Sequence, residues 1–338
     1  MPLSLHVDGP RWRDHLVKTV AAHPGIIAVA KGNGYGFTVP KLARRSEWLR
    51  LDTIAVGTYR EVAEVYQRFG GDILVLEPWR PFLPDVAYGP RIVHTVGRRA
   101  DLDALGRRDD TPRVVLEGLT SMRRHGFDRD AFAGAAASAR GVRVEGHALH
   151  LPLGAGHLAE VQRWLACAPA GHWYVSHLDR NELEELRSRH HDVEFRPRIG
   201  TALWLGDPGA LSIRATVMDT HRVRRGDEVG YRRRKMNRDG TVLVVSGGTA
   251  HGIALESPSG AVSIRQRSVS LAKGGLDAVG RALSPYLIDG RLRWFVEPPH
   301  MQVSLVYLPA GAHVPKPGED VEVRMRHTIA HFDQVLIS

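Results

Sequence analysis

The chain has 338 residues, 43% hydrophobic and 25% charged, with one cysteine and a formal net charge of +9. That composition fits soluble globular domains and excludes a disulfide framework or a cysteine-rich metal site. No run approaches the roughly 18 apolar residues of a membrane span, and Met1–Val7 is too short in apolar character for a signal peptide, so a cytoplasmic protein is expected. The basic excess, densest at Arg232-Arg-Arg-Lys235, would suit nucleic acid or another anionic ligand. Its arginines are otherwise interleaved with acidic residues and no nucleic-acid motif accompanies them, which favours a solvated surface.

In chain order, Met1–Ala22 reads as a strand, contributed to a domain formed much later, followed by a leading helix. From residue 25 to 200 short apolar runs alternate with segments of helical period. The runs are Gly25–Asn33, Thr53–Gly57, Asp72–Glu77, Arg91–Val96, Pro112–Leu119, Val142–His150, His172–Leu178 and Val193–Gly200. Candidate helices lie between them at Tyr59–Phe69, Ala131–Ala139, Leu158–Ala168 and Arg180–His190. Cys167, in Trp164-Leu-Ala-Cys-Ala, reads as a small hydrophobe on the buried side of the third. Eight strands alternating with helices is the arithmetic of an α/β (β/α)8 TIM barrel, whose chemistry sits at the strand C-terminal ends. Polar residues fall at those ends: Lys31, Glu117, His150, Ser176 and Arg198. After about Asp207 the pattern changes to strands at Ser212–Val223, Thr241–Ser246, Ala261–Leu271, Arg291–Phe295, Gln302–Leu308 and Asp320–Arg326, punctuated by turns such as Ser257-Pro-Ser-Gly and Lys316-Pro-Gly. The expected organisation is a leading segment over 1–22, a barrel over 23–207 and a C-terminal all-β domain over 208–338.

Lys31 ends the first run, in Gly25-Ile-Ile-Ala-Val-Ala-Lys-Gly-Asn-Gly-Tyr-Gly-Phe37. A desolvated lysine loses basicity and becomes a usable amine, for Schiff-base formation or as a general base. This segment resembles the K-A-N-A-Y-G-H-G motif of alanine racemases, in which the lysine carries pyridoxal 5'-phosphate (PLP). The resemblance extends in order over most of the chain and implies that family's fold, a PLP cofactor, an amino acid or amino-acid derivative as substrate, and a head-to-tail homodimer. It makes Lys31 the cofactor-bearing lysine and Tyr35 a phosphate contact.

Leu116-Glu-Gly-Leu-Thr-Ser-Met-Arg-Arg-His-Gly-Phe127 is similar to the family's K-V-D-T-G-M-x-R-x-G-F, so Arg124 matches the arginine that meets the cofactor's phenolic oxygen and the substrate. Glu117 stands where many members carry a carbamylated lysine, and its carboxylate can replace that anion beside Arg124. Glu145-Gly-His-Ala-Leu-His150 resembles G-x-x-T-H-F and points to His150 against the cofactor ring, with His147 as a competing choice. His172-Trp-Tyr-Val-Ser176 resembles H-x-x-N-S, implying that Ser176 donates to phosphate. Phe195-Arg-Pro-Arg-Ile-Gly-Thr201 resembles R-x-G-I, implying Arg198 at the pyridine nitrogen and Gly200 and Thr201 at the phosphate. Arg196 shares a strand face with Arg198, so that assignment could slip by two.

In the β-domain, Arg225-Gly-Asp-Glu-Val-Gly-Tyr231 is similar to the G-x-x-V-x-Y-G motif that carries the family's second catalytic base. Two-base racemisation needs acceptors on opposite faces of a Cα–H bond, and the resemblance implies Lys31 and Tyr231 of the partner subunit. The substrate shell departs from the family. Thr249 replaces a tyrosine in Gly248-Thr-Ala-His-Gly252, and the M-D-Q motif, whose Met301 would help hold the substrate carboxylate, appears as His300-Met-Gln302 without its aspartate. The terminal Y-R-V-P-R stretch is absent. The expected function is a PLP-dependent amino-acid racemase with an altered pocket and no metal. Decarboxylation or dehydration on the same fold, or a non-catalytic PLP carrier, are the rival readings.

Overall fold

The computed structural model describes residues 2–84, 86–168, 170–255 and 282–338. The expected strand Ala261–Leu271 and the turn at Ser257 lie outside the described residues.

The chain forms two compact units: Arg13–Gly206, and Met1–Trp12 together with Asp207–Ser338. It begins with β1 (Leu3–Val7) and α1 (Gly9–Ala22). The larger unit is a closed barrel of eight parallel strands: β2 (Ile27–Val29), β3 (Thr53–Val56), β4 (Asp72–Pro78), β5 (Ile92–Val96), β6 (Arg113–Gly118), β7 (Arg143–Leu149), β8 (Gly171–Val175) and β9 (Val193–Ile199). The ring closes where Ile27 pairs with Arg198. Parallel strands covered on both faces read as continuous apolar runs, which is why each one was expected within a few residues of its observed position.

The helices are α2 (Val39–Trp48), α3 (Val62–Tyr66), α4 (Arg99–Leu105), α5 (Arg129–Ser138), α6 (His157–Leu165), α7 (Arg180–Arg189) and the single turn α8 (Thr201–Trp204). Local chemistry starts two of them. Asp128 accepts from the Ala131 N–H ahead of α5, and Asp179 and Glu182 form a reciprocal capping box at α7. The expected helix Tyr59–Phe69 is shorter than read, a 3-10 turn over Tyr59–Glu61 followed by α3. Cys167 corrects another expectation: α6 stops at Leu165, so the thiol is half-buried past the helix end, donating to the Arg163 carbonyl at 3.7 Å.

The barrel interior is filled by Ile27, Val29, Ala55, Leu74, Val93, Val115, Ala148 and Tyr174. On a strand every second side chain shares a face, so each inward series can be extended by two toward the C-terminal end. Ile27 and Val29 lead to Lys31, Val115 to Glu117, Ala148 to His150 and Tyr174 to Ser176. The same alternation that packs the core therefore delivers the polar residues to one rim.

The smaller unit is built on β10 (Leu211–Val223), β11 (Glu228–Val229), β12 (Arg234–Lys235), β13 (Gly240–Ser246), β14 (Leu283–Ile288), β15 (Arg291–Phe295), β16 (Val303–Pro309), β17 (Asp320–Val323) and β18 (Gln334–Ile337). Its main sheet runs β13-β16-β15-β14-β17-β10-β1-β18, and a second pairing of β10 with β13 turns the sheet back on itself. With a bulge between Val217 and Asp219, the long β10 pairs with β1 and β17 through its first half and with β13 through its second. The leading strand β1 lies between β10 and β18, and β11 and β12 form a separate two-stranded hairpin.

Candidate active site

Lys31 follows β2, where Gly57, at the end of β3, leaves room for the lysine stem: a Cβ there would come within 2.9 Å of the Lys31 Cβ. Lys31 is solvent-accessible, yet enough protein surrounds it to lower its pKa, chiefly by desolvation and then by the guanidinium charges of Arg124 and Arg198, with Glu61 opposing. Glu61 also fixes the turn. Its Oε1 accepts from the Gly32 N–H at 2.7 Å and its Oε2 from the Gly57 N–H at 2.6 Å, tying the ends of β2 and β3 together. The sequence showed Glu61 only as a residue near a helix start.

Tyr35, in that turn, is 7% exposed, with its hydroxyl against Gly200 beyond β9. A Cβ at Gly200 would overlap that hydroxyl, so the close approach requires glycine. Burial, with the nearby charge of Glu61, pushes the Tyr35 phenol up to about 12. Thr201 opens the turn α8 beside it.

Glu117 is 3% exposed and its Oε2 has no partner among the described residues. Burial raises its pKa, opposed by Arg198, then Arg124 and Arg80. The carboxyl is thus a buried acid facing three cations, and Arg198 acts on it more strongly than the expected Arg124. Arg198 itself is 7% exposed; its Nη2 donates to the Leu149 carbonyl at 2.8 Å while its Nε has no partner among the described residues. Arg124 sits in the loop after β6, which returns through Phe127: the Phe127 N–H donates to the Glu117 carbonyl at 2.8 Å, and the Leu119 N–H to the Phe127 carbonyl at 2.8 Å.

His150 and Ser176 are in contact. Ser176 Oγ lies 3.0 Å from His150 Nδ1 and accepts from the Leu151 N–H at 3.1 Å. Desolvation, then Arg198, Arg124, His177 and Lys31, push the imidazole down to about 3, so it is neutral at physiological pH. A hydroxyl has one proton, so Ser176 is free to donate elsewhere only when His150 carries its own proton on Nδ1.

Two choices left open by the sequence separate here. Arg196 engages the opposite end of the barrel, with Asp52 and the Gly25 carbonyl, whereas Arg198 reaches the rim. His147 has the opposite parity to Ala148 and packs with Phe132 of α5 and Trp173, in the layer between sheet and helices. Parity along β7 alone could have made that distinction.

In the other unit Tyr231 and Met301 are 85% and 70% exposed. They line a groove of about 580 Å³ together with Arg232, Thr249, Glu297 and His300. The hairpin carrying Tyr231 is tied down by Arg234, whose Nη1 donates to the Val296 carbonyl at 2.7 Å, while Arg233 pairs with Glu228 at 2.7 Å. The basic run is thus partly committed to local structure.

The family model for the alanine racemase N-terminal domain matches residues 13–191, more than half of the chain. The chain belongs to the alanine racemase family. Among solved structures it is similar to the alanine racemase of Bartonella henselae, which holds covalently bound pyridoxal phosphate, at 18% identity and TM-score 0.71 over 97% of this chain and 91% of that one. The alanine racemase of E. faecalis is similar at 18% identity and TM-score 0.70 over 100% and 98%, and the biosynthetic enzyme of Pseudomonas aeruginosa at 22% and 0.65 over 96% and 91%. No curated protein sequence matches. At these identities the likeness to the alanine racemases establishes the barrel and β-domain architecture, and this family member's own residues must carry any argument about chemistry. Among the described residues no cluster of metal-binding side chains occurs, and no helix is long and apolar enough to cross a membrane.

Proposed function

We propose that the protein is a PLP-dependent amino-acid racemase, acting on an amino acid or amino-acid derivative as a head-to-tail homodimer. The observation that carries this reading is Lys31, on an inward strand series at the barrel rim, its pKa lowered by desolvation and by Arg124 and Arg198.

The residues present fit the cofactor. Arg198 Nε and Glu117 Oε2 are buried polar atoms without partners among the described residues, and a neutral imidazole stands beside them. Lys31 would hold PLP covalently, with Tyr35, Ser176, Gly200 and Thr201 at its phosphate, Arg198 at its ring nitrogen, Arg124 at its phenolic oxygen and His150 against the ring. Bound there, PLP supplies an electron sink that makes the substrate Cα–H acidic. Arg198 stays charged, because a guanidinium starts far above neutrality, and a cation at the ring nitrogen discourages ring protonation and moderates that sink. Glu117 stands as the fixed anion among the three arginines. Lys31 then moves the proton on one face of Cα and Tyr231 of the partner subunit on the other. The altered shell, Thr249 and the missing aspartate beside Met301, widens the candidate substrates beyond alanine.

The decarboxylase reading is disfavoured by Arg198, since that chemistry wants an acidic partner at the ring nitrogen. The non-catalytic carrier reading leaves Tyr231 and its unit without a purpose. The test is to load purified protein with PLP, reduce with borohydride, map the labelled peptide, and follow optical rotation of a panel of amino acids. Label on Lys31 with loss of optical activity supports the proposal; label elsewhere rejects it.

A further inference from the structure

Tyr231 projects from the hairpin loop between β11 and β12, a place where a side chain is ordinarily mobile. Beneath the loop lies Glu297, 4% exposed, two residues past the end of β15. Its Oε1 accepts from the Tyr231 N–H at 2.9 Å and its Oε2 from the Arg232 N–H at 3.2 Å. Oε1 is also 2.7 Å from His300 Nε2, and the His300 ring lies 4.5 Å from the Tyr231 ring, centroid to centroid. One carboxylate thus holds both the backbone of the tyrosine and the imidazole against its ring. Burial by itself would raise the pKa of such a carboxyl, but the bonds from His300, Arg232 and Tyr231 outweigh it and hold Glu297 below the usual carboxylate range.

The backbone is shaped to receive it. Gly230 has φ +79°, and a Cβ there would overlap the Glu297 carboxylate, so the loop can close over the anion only with glycine at this place. Pro298 and Pro299 stiffen the connection to His300, whose carbonyl accepts from the Thr249 N–H at 2.9 Å.

We infer that Glu297 is a positioning residue for Tyr231, fixing through two backbone amides and His300 the direction in which the phenol meets a substrate. This rests on the reading of Tyr231 as the second base. Amide hydrogen exchange on the full-length protein tests the hold itself and needs no cofactor: Glu297→Ala should accelerate exchange at Tyr231 and Arg232 about 10-fold or more, as expected for amides that lose their acceptor. In the loaded enzyme the same variant should slow racemisation about 10- to 100-fold, while Cα–H exchange with deuterated solvent on the Lys31 face persists for one enantiomer within about 3-fold. A merely structural role would lower both faces together. Should Glu297→Ala not fold, Glu297→Gln keeps the shape and one acceptor and is read in the same way, with smaller losses. Unchanged amide exchange, or equal loss on both faces, overturns the inference. If the wild type exchanges Cα–H of no amino acid, the racemase reading fails, and amide exchange alone decides whether Glu297 holds the loop.

Discussion

At the barrel rim Glu117 and Arg198 are 3% and 7% exposed, whereas Tyr231 and Met301 in the other unit are 85% and 70% exposed. At the rim, strand parity sets the direction of side chains, and burial among Arg198, Arg124 and Arg80 sets their protonation. Around Tyr231 the side chain is open to solvent and order comes from below, through backbone amides bound to a buried carboxylate. A buried site tunes its groups through desolvation and neighbouring charge; an exposed one can only be aimed. Substitutions at the rim should therefore alter protonation and cofactor retention, and substitutions around Tyr231 should alter geometry.

The largest effect should come from Lys31→Ala, which removes the amine at the centre of the rim. Racemisation is expected to fall by about 10³-fold or more, with loss of PLP retention, as read by visible absorbance. Retained absorbance and activity would break the distinction between the two regions at its source.

Tyr231→Phe should cost about 10²- to 10⁴-fold in racemisation and leave PLP absorbance unchanged. Mixed with Lys31→Ala and allowed to exchange subunits, it should recover part of the activity, because a mixed dimer contains one site with both bases and one with neither. No recovery, despite proven subunit exchange, would remove the head-to-tail arrangement.

Glu117 sharpens the electrostatic side. Its folded pKa is raised above the ordinary 4.5, so its favourable contribution is complete below that value and is lost as pH rises through the folded pKa. The stability of Glu117→Gln relative to wild type should therefore improve as pH rises above about 4, as read by urea unfolding across a pH series. The variant should also retain PLP less well, since Arg198, Arg124 and Arg80 lose their anion. Activity of the wild type should not depend on dissolved carbon dioxide, which a carbamate would require.

The smallest effect is expected on the outer face. Both His147 ring nitrogens lack partners among the described residues, and burial lowers its pKa to about 4. Stability from this group is present above its unfolded value of about 6.5 and is lost as pH falls toward 4. His147→Leu should raise stability by about 1 kcal/mol and flatten the acid limb, without changing racemisation. A loss of activity would return His147 to the site.

Much of the barrel was legible because its strands are buried on both faces, so composition alone marks Thr53–Val56 or Val193–Ile199. The rim was legible for a related reason: Lys31, Glu117 and Arg198 are charges in apolar runs. What escaped the sequence depends on contacts between distant segments. Glu61 and Glu297 are ordinary acidic residues until Gly32, Gly57, Tyr231 and Arg232 fold over them. Strand β14 was hidden by Pro285, and β18 by its exposed pattern; both exist because a neighbour pairs with them.

The position of β1 has a consequence for the order of assembly. Residues Leu3–Val7 precede the whole barrel in the chain, yet their sheet partners, Leu211–Ala215 and Gln334–Ile337, follow it. The strand must wait through synthesis of the entire barrel before either partner exists, so the smaller unit closes last and the barrel is the first to gain a complete core. Until then β1 is an unpaired apolar edge on a nascent chain, and the step most exposed to aggregation is the final one, when β18 arrives to cover it.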